Sequence, residues 1–270
     1  MKEVNLTFNI LDSIREVNPL IHIISNFVTM NDVAQSLSFL GARPIMAHYY
    51  KDVQYITKSS DGLVVNLGTM DNFREEGILE SANIARYNSI PWILDPVGIQ
   101  GSHYRKNLAI ELIDKGSPNV IKGNLSEIKS ILGRKSIYKG IDSLEESLMV
   151  NKELQREIED YARNSNVIIV ITGEVDFITD GKTTYYVYNG DGIMSRVTGT
   201  GCILSVLIGA FISVEKSKEN LTLAVVEAVS FWGIIGEVCK GELKKSEGLN
   251  TYRFKLLDKI SLISKKDLML

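Results

Sequence analysis

One short stretch of this sequence has the composition of an anion-binding turn with a thiol beside it. Val197-Thr198-Gly199-Thr200-Gly201-Cys202 precedes ILSVLIGAFI, a segment that is apolar on every face and predicts a buried helix. Gly199 and Gly201 allow close approach of a ligand to the backbone, and the first helical turn carries unpaired N–H groups at the positive end of its dipole. This pattern predicts an anion site with Cys202 at its mouth. The structural alternative is that Thr200 caps the helix and Cys202 is a small buried residue.

Other polar or glycine-containing clusters follow predicted strands. They are Asn66-Leu67-Gly68-Thr69, Asp95-Pro96-Val97-Gly98, Lys122-Gly123-Asn124 and Thr172-Gly173. Each of them alone is an ordinary polar turn. In open α/β sheets, however, ligands bind outside the carboxyl ends of the strands. The concentration of these clusters at one sheet edge therefore predicts a ligand site there.

Three side chains in these clusters have both a chemical and a structural interpretation. Asp95 could place a carboxylate near a phosphate-bound Mg²⁺, or it could start a turn before Pro96. Glu127 could face the same edge and also close a capping box with Asn124, because these two roles are compatible. Lys122 is the only basic residue at a predicted strand end on this edge, so it could neutralise a phosphate; the alternative is a solvated side chain.

Several further residues have a structural interpretation that competes with a chemical one. Met46 could form a polarizable wall for a heteroaromatic ligand or fill the core. His22 and Cys239 lie in apolar segments and are more typical of buried structural residues. Gly181-Lys182-Thr183 resembles the end of a Walker A loop, but position 176, where the first glycine would stand, is Asp. We interpret it as a hairpin turn.

The elements that must position these residues follow a βαβ pattern, in which short β-branched runs alternate with longer amphipathic segments. Strands are predicted at 20–25, 44–47, 62–67, 91–95, 119–122 and 167–172, and helices at 31–40, 72–88, 104–115, 125–132 and 144–164. Asp-Gly and Asn-Gly turns then predict an antiparallel edge with strands at 177–179, 184–188 and 193–197. Helices are predicted again at 202–214, 221–240 and 252–263. The pattern favours an α/β fold with a mostly parallel sheet.

Length and composition are those of an ordinary globular protein. The chain has 270 residues, 44% hydrophobic and 23% charged, and no repeat or flexible linker divides it, so residues 1–270 are predicted to form a single domain. A net charge of −3 and a pI near 5.8 argue against binding to nucleic acid or a membrane surface. The N-terminus has no signal-peptide core, and no run reaches the roughly 18 uncharged apolar residues of a spanning helix, so we expect a cytoplasmic protein.

Together the motifs resemble those of the hydroxyethylthiazole kinase family, which has a ribokinase-like fold. The matching motifs, in order, are Asn18-Pro19-Leu20, Asn26, Pro44-Ile45-Met46-Ala47, Asn66-Leu67-Gly68-Thr69, PWILDPVG (91–98), KGNLSEI (122–128) and VTGTGC (197–202). The resemblance implies a mostly parallel central sheet flanked by helices, with an antiparallel hairpin edge. It also implies ATP- and Mg²⁺-dependent phosphorylation of the primary alcohol of 4-methyl-5-(2-hydroxyethyl)thiazole in thiamine salvage.

The resemblance implies binding roles for particular residues. Met46, Asn26 and Gly199 would bind the thiazole substrate. Lys122 and Thr172 would contact ATP, which is the co-substrate. The family is typically a trimer with its sites at subunit boundaries, so we expect a homotrimer here.

The resemblance also implies catalytic and metal-binding roles. Asp95 and Glu127 would lie around the Mg²⁺ and the phosphates. Gly199 and Gly201 would form the anion hole for the transferred phosphoryl group. Cys202 would stand where most ribokinase-like enzymes carry a catalytic aspartate, and would take or orient the proton of the alcohol.

The sequence departs from the family pattern in three places. Lys122 stands where the family usually has arginine, so the charge is kept without bidentate phosphate geometry. Gln100 and Ser102 replace residues of the usual VGxGAT loop, and residues 247–252 replace a GPG(T/S)F segment. These departures bear on nucleotide affinity more than on the type of reaction.

Two other classes of function stay open from the sequence. One is another enzyme of the same fold, a hydroxymethylpyrimidine or pyridoxal kinase or a nucleotide-dependent dehydratase, which would more usually carry aspartate in place of Cys202. The other is a non-catalytic sensor that binds a thiazole or a nucleotide. Such a sensor would have less need of the carboxylates Asp95 and Glu127.

Overall fold

The computed structural model describes residues 6–133 and 151–268, and in this part of the chain eight strands form one sheet in the order β2-β1-β3-β4-β5-β6-β7-β8. The strands are β1 (Leu20–Ile24), β2 (Arg43–Met46), β3 (Gly62–Asn66), β4 (Trp92–Asp95), β5 (Val120–Asn124), β6 (Ile168–Thr172), β7 (Asp176–Thr179) and β8 (Thr184–Val187). β1 to β6 pair in parallel, whereas β7 and β8 complete one edge as an antiparallel hairpin. The predicted sheet architecture is confirmed.

One predicted edge strand is wrong. Residues 193–197 do not extend the antiparallel edge, because Gly192–Arg196 forms a 3-10 helix. The side chain of Asp191 caps this helix by accepting a hydrogen bond from the N–H of Ile193 at 2.9 Å. The other predicted turn does join β7 to β8, and Gly181-Lys182-Thr183 lies in it as expected.

Helices cover both faces of the sheet. They are α1 (Asn9–Val17), α2 (Met30–Leu40), α3 (Tyr50–Lys58), α4 (Asn72–Tyr87), α5 (His103–Glu111), α6 (Leu125–Ile131), α7 (Lys152–Ser165), α8 (Thr200–Val214), α9 (Leu221–Gly241), α10 (Leu249–Leu262) and α11 (Lys265–Leu268). α5 continues as a π-helix over Leu112–Gly116. The short helices α1 and α3 were not predicted, and residues 144–150 of the helix predicted at 144–164 lie outside the described residues.

The alternation of side chains along the strands divides the apolar residues between two cores. Ile23 and Val64 pack with α1, α2, α8, α9 and α10, whereas Ile24 and Val65 pack with α3 to α7. α9 is long and apolar enough to cross a membrane by composition, but 72% of its most apolar window is buried inside the protein. It is the core helix of one layer. His22, predicted to be a core residue, is fully buried between Thr57 and the carbonyl of Ala47.

α8 approaches the sheet closely because it carries glycine at the point of contact. A Cβ atom at Gly209 would lie 2.4 Å from Cγ2 of Val64 in β3, so a larger residue would force the helix away. The close approach brings the first turns of α8 to the carboxyl ends of β3 and β4. Cys202 and Ser205 therefore meet the polar residues that end these strands.

Candidate active site

The polar strand ends predicted from the sequence meet at the carboxyl edge of the sheet. The chain proceeds from β1 to β2 on one side and returns to β3 on the other, which makes the crevice between β1 and β3 a topological switch point. Asn26 follows β1, and Asn66 ends β3 in register with Asp95 at the end of β4. Cys202, in the first turn of α8, contacts both asparagines at this crevice.

Asp95 is the buried centre of the site. Its Oδ2 accepts hydrogen bonds from Ser205 Oγ at 2.7 Å, from Asn66 Nδ2 at 2.8 Å and from Lys122 Nζ at 3.3 Å. Its Oδ1 is buried and has no hydrogen-bond partner in the described part of the chain. Since Asp95 is only 1% exposed, it does much more than start a surface turn.

Lys122 is buried, so the interpretation of a solvated side chain is wrong. Its ammonium group lies between Asp95 and the carbonyl oxygen of Gly201, to which it donates at 3.0 Å. Burial by itself would lower the pKa of Lys122, but the charges of Asp95, Cys202 and Glu127 and the hydrogen bond to Asp95 together outweigh it, so the pKa lies above its ordinary value. The side chain therefore holds a permanent positive charge under the first turn of α8.

Glu127 combines the two roles that the sequence left open. Asn124 and Glu127 form the predicted capping box at the start of α6, with N–H to oxygen distances of 2.9 Å and 2.8 Å. The other carboxylate oxygen accepts the N–H of Gly98, in the loop that follows Asp95, at 3.0 Å. Burial, and then the charge of Asp95, raise the pKa of Glu127. The capping box thus also places a second carboxylate beside Asp95.

The turn before α8 has the glycine geometry that the sequence suggested, and Thr200 is not its cap as the structural alternative had it. Gly199 is the N-cap residue and adopts a φ of +101°, whereas Thr200 is the first helical residue and donates to the carbonyls of Met194 and Val197 instead. A Cβ at Gly199 would also come within 3.0 Å of Cγ2 of Thr29. The positive φ therefore favours glycine at 199, and a Cβ there would also crowd Thr29.

The first turn of α8 presents free backbone donors. The N–H of Ile203 makes the first helical bond, to the carbonyl of Gly199 at 2.9 Å. The N–H groups of Gly201 and Cys202 precede this bond and take no acceptor among the described residues. With the helix dipole and the nearby Lys122, these N–H groups are the features that the predicted anion site requires.

Cys202 is half-buried, and its sulfur lies against two carboxamides. Asn26 Nδ2 is 3.3 Å from Sγ, and Asn66 Nδ2 is 3.5 Å from it. The interpretation of Cys202 as merely a small buried residue therefore does not describe its environment. Cys239, in contrast, is fully buried within α9, as its apolar segment predicted.

Met46 and Thr172 lie at the sides of this cluster. Met46 ends the edge strand β2, is half-buried and packs against the core on the α8 side. Thr172 ends β6, and its hydroxyl donates to the carbonyl of Gly123 at 3.5 Å. Asp176 closes the following turn by accepting the N–H of Gly173 at 2.9 Å, and burial raises its pKa to about 6 against the opposing charge of Lys122.

Two residues of the cluster were not assigned a role from the sequence. Asn66 was seen only as part of a polar strand end, although its position beside Asp95 in neighbouring strands is a usable signal. Ser205 lies in the apolar run of α8, three residues after Cys202 and thus on the same helix face. A polar residue at that spacing in an otherwise apolar helix could have indicated its contact with Asp95.

Arg74 joins the loops that follow β1 and β3. Its buried guanidinium donates to the carbonyl of Ser25 and to Thr69 Oγ1, and it stacks 4.1 Å from the centre of the Phe27 ring. The N–H of Phe27 also donates to Thr69 Oγ1, at 3.2 Å. These contacts fix the loop that carries Asn26, and burial lowers the pKa of Arg74.

Comparison with known proteins identifies one family that this chain resembles over nearly all of its length. The family model described as "Hydroxyethylthiazole kinase family" matches residues 11–266. The chain is 44% identical over 254 residues to hydroxyethylthiazole kinase from Clostridium perfringens, covering 94% of this chain and 95% of that protein. It superposes on the structure of the hydroxyethylthiazole kinase protein from Pyrococcus horikoshii OT3 with a TM-score of 0.84 and 32% identity, covering 97% of this chain and 94% of the other.

A more distant structure bears on the fold alone. A ribokinase-like superfamily protein from Enterococcus faecalis is 14% identical and superposes with a TM-score of 0.61 over the full length of both chains. The predicted ribokinase-like fold is confirmed. With the family match over nearly all of its length, this chain belongs to the hydroxyethylthiazole kinase family.

Proposed function

We propose that this protein transfers the γ-phosphoryl group of ATP to the primary alcohol of 4-methyl-5-(2-hydroxyethyl)thiazole, in thiamine salvage. Membership of the family supports the reaction and the substrate. The observation that carries the mechanism is the position of Cys202. Its sulfur lies at the first turn of α8, beside free N–H groups, and contacts Asn66, which in turn donates to Asp95. These groups are the parts that phosphoryl transfer requires, because the reaction depends mainly on positioning and charge stabilisation.

The chemical step follows from this arrangement. The alcohol oxygen forms a bond to the γ-phosphorus while the bond from that phosphorus to the β–γ bridging oxygen breaks, and ADP leaves with the electron pair. The proton of the alcohol needs an acceptor, and we assign this role to the deprotonated sulfur of Cys202. The N–H groups of Gly201 and Cys202 stabilise the charge that builds on the γ-phosphoryl oxygens.

Lys122 and Thr172 support the proposed nucleotide side of the site. A Cβ at Gly201 would lie 3.4 Å from Nζ of Lys122, so the ammonium group lies directly under the anion-binding turn. Its charge can offset the phosphates even without the bidentate geometry of arginine. Thr172 ends β6, the strand next to that of Lys122, where its hydroxyl can contact the nucleotide.

Asp95 and Glu127 are the residues that would hold Mg²⁺. The unpartnered, buried Oδ1 of Asp95 fits this role because an oxygen with no hydrogen bond is available to a cation or its water. The described residues contain no group of three His, Cys, Asp or Glu side chains that could bind a metal by themselves. Mg²⁺ would accordingly keep most of its ligands as water and phosphate, and it would neutralise charge on the nucleotide.

The proposed substrate side combines Met46, Asn26 and Gly199 with an exposed aromatic surface. The ring of Phe27 is solvent-exposed and stacks on the guanidinium group of Arg74. The rings of Tyr49 and Phe73 are also exposed, and their centroids are 6.1 Å apart. Apolar surface beside a site is typical of a subunit boundary. It supports association of subunits around the site. We take the number of subunits, three, and the cytoplasmic location from the family resemblance, and the mass of such a homotrimer by light scattering would be three times 30.1 kDa.

A phosphoryl-transfer assay with purified protein, ATP and Mg²⁺ tests the proposal. The thiazole alcohol is compared with hydroxymethylpyrimidine and pyridoxal, and we expect phosphorylation of the thiazole alone. Transfer to one of the other alcohols would refute the substrate assignment. Binding of the thiazole by calorimetry with no transfer would instead support the non-catalytic sensor.

Variants of Cys202 test its part in the reaction. Because positioning contributes more than proton transfer, Cys202→Ala should be slowed by about a hundred- to ten-thousandfold and still turn over. Cys202→Asp keeps a proton acceptor and should remain active. Complete loss in the Asp variant, with ATP binding and folding intact, would contradict the proton role of Cys202.

A further inference from the structure

The two carboxamides beside Cys202 have orientations that their other hydrogen bonds determine. Asn26 Oδ1 accepts the N–H of Thr29 at 3.0 Å and its hydroxyl at 3.1 Å, so this atom must be the oxygen. Asn66 Oδ1 accepts the N–H of Gly68 at 2.9 Å, and Asn66 Nδ2 donates to the carboxylate of Asp95 at 2.8 Å. In both residues the NH₂ group is therefore the end that faces the sulfur.

The hydrogen-bonding capacity of the pair is fully used. The two N–H bonds of Asn26 go to Asn66 Oδ1 at 3.2 Å and to Cys202 Sγ, and those of Asn66 go to Asp95 and to the same sulfur. Each carboxamide oxygen also accepts two hydrogen bonds. Asn26 Oδ1 accepts both from Thr29, and Asn66 Oδ1 accepts one from the N–H of Gly68 and one from Asn26 Nδ2. Neither side chain has a polar atom left for a substrate.

We propose that Asn26 and Asn66 are positioning residues that hold the sulfur of Cys202 as a proton acceptor, with two N–H donors directed at it. Donors on sulfur stabilise a negative charge more than a neutral thiol. Because the two donors occupy one side of the sulfur, a proton that the sulfur accepts can bind only on the opposite, open side. This inference rests on the proposed function, in which Cys202 takes the proton of the alcohol, and it gives Asn26 an indirect role in place of a polar substrate contact.

The first test measures the sulfur without any substrate. In a Cys239→Ala background, which leaves Cys202 as the one thiol of the chain, the rate of alkylation by iodoacetamide is compared at one fixed pH. Asn26→Asp keeps the acceptor for Thr29 and places a carboxylate oxygen against the sulfur, so we expect alkylation about tenfold slower, since the thiolate is the reactive form. Asn26→Ala removes the donor without adding charge and should be slowed severalfold.

The second test separates positioning from a general structural effect. Each Asn26 variant is also made in a Cys202→Ala background, and kcat is measured in all four enzymes of each double-mutant cycle. We expect the Asn26 substitution to lower kcat at least tenfold when Cys202 is present. In the Cys202→Ala background the same substitution should lower kcat less than twofold. Equal losses in both backgrounds, or alkylation of both variants as fast as in the parent, would overturn the inference.

The two tests also distinguish this inference from the function on which it rests. Alkylation needs neither ATP nor the thiazole, so its outcome stands whether or not the parent enzyme transfers phosphate. If Asn26→Asp does not fold by circular dichroism, Asn26→Ala carries both measurements. Absence of phosphoryl transfer in the parent would refute the proposed function alone.

Discussion

Replacing Lys122 by methionine removes the ammonium group from its buried pair with Asp95 and leaves an apolar side chain of similar length. The two groups are 3.3 Å apart, and their side chains are only 6% and 1% exposed. Removing one partner of such a pair leaves a buried charge uncompensated and costs about 3–5 kcal/mol. Asp95 would keep its hydrogen bonds from Ser205 and Asn66, so we expect the lower end of this range, about 3 kcal/mol.

Urea denaturation would measure this loss. The protein has two tryptophans, Trp92 and Trp232, and both are buried, so their fluorescence reports the loss of the core. With a urea dependence of about 3 kcal/mol per molar, the midpoint of Lys122→Met should fall by about 1 M. All variants are compared at one protein concentration, because self-association would add to the apparent stability.

Two further variants make the measurement specific. Lys122→Met combined with Asp95→Asn removes both charges and should recover most of the stability, whereas we expect phosphoryl transfer to be lost in both the single and the double variant. Lys115 forms a pair with Glu111 at 2.8 Å on the surface, and Lys115→Met should leave the midpoint unchanged. The reasoning would be refuted if Lys122→Met were as stable as Lys115→Met, or if the double variant were no more stable than Lys122→Met.

Two other predictions concern His22 and Gly199. Burial lowers the pKa of His22 to about 4 from an ordinary value of 6.5, so the unfolded chain binds this proton more readily than the folded one. The stability that neutral His22 contributes is therefore present above pH 6.5 and is lost as the pH falls to about 4. Relative to a His22→Gln variant, the free energy of unfolding should fall by about 3 kcal/mol over this range. Parallel pH profiles of the free energy of unfolding for the two proteins would contradict this. Gly199→Ala should lower kcat/KM at least about tenfold, because a Cβ is strained at a φ of +101° and would crowd Thr29. Gly241→Ala is the control, because Gly241 is a helical glycine with open space around it, and this variant should leave kcat/KM unchanged. Equal kcat/KM values for the two alanine variants would show that the turn at Gly199 tolerates a Cβ.

Local signals were sufficient for most of the fold. The β-branched run at 62–67 became β3, and the spacing of Asn124 and Glu127 predicted the capping box that begins α6. Both signals act within a few residues, where alternation and capping chemistry decide the conformation. The error at 193–197 has the same origin, because the Asn-Gly-Asp-Gly run suits a hairpin turn as well as the helical turn that Asp191 caps.

The sequence by itself indicated that Asp95 ends a strand, that Lys122 lies towards the end of another and that Cys202 begins a helix, and hence that the three share one edge of the sheet. Only the tertiary structure decided what they do to one another. Ser205 reaches Asp95 across 110 positions of the chain, and Asn26 reaches Cys202 across 176. Whether Lys122 is solvated or buried depends on such distant partners, because burial is a property of the packed layers. Its position near the end of a strand is compatible with either state.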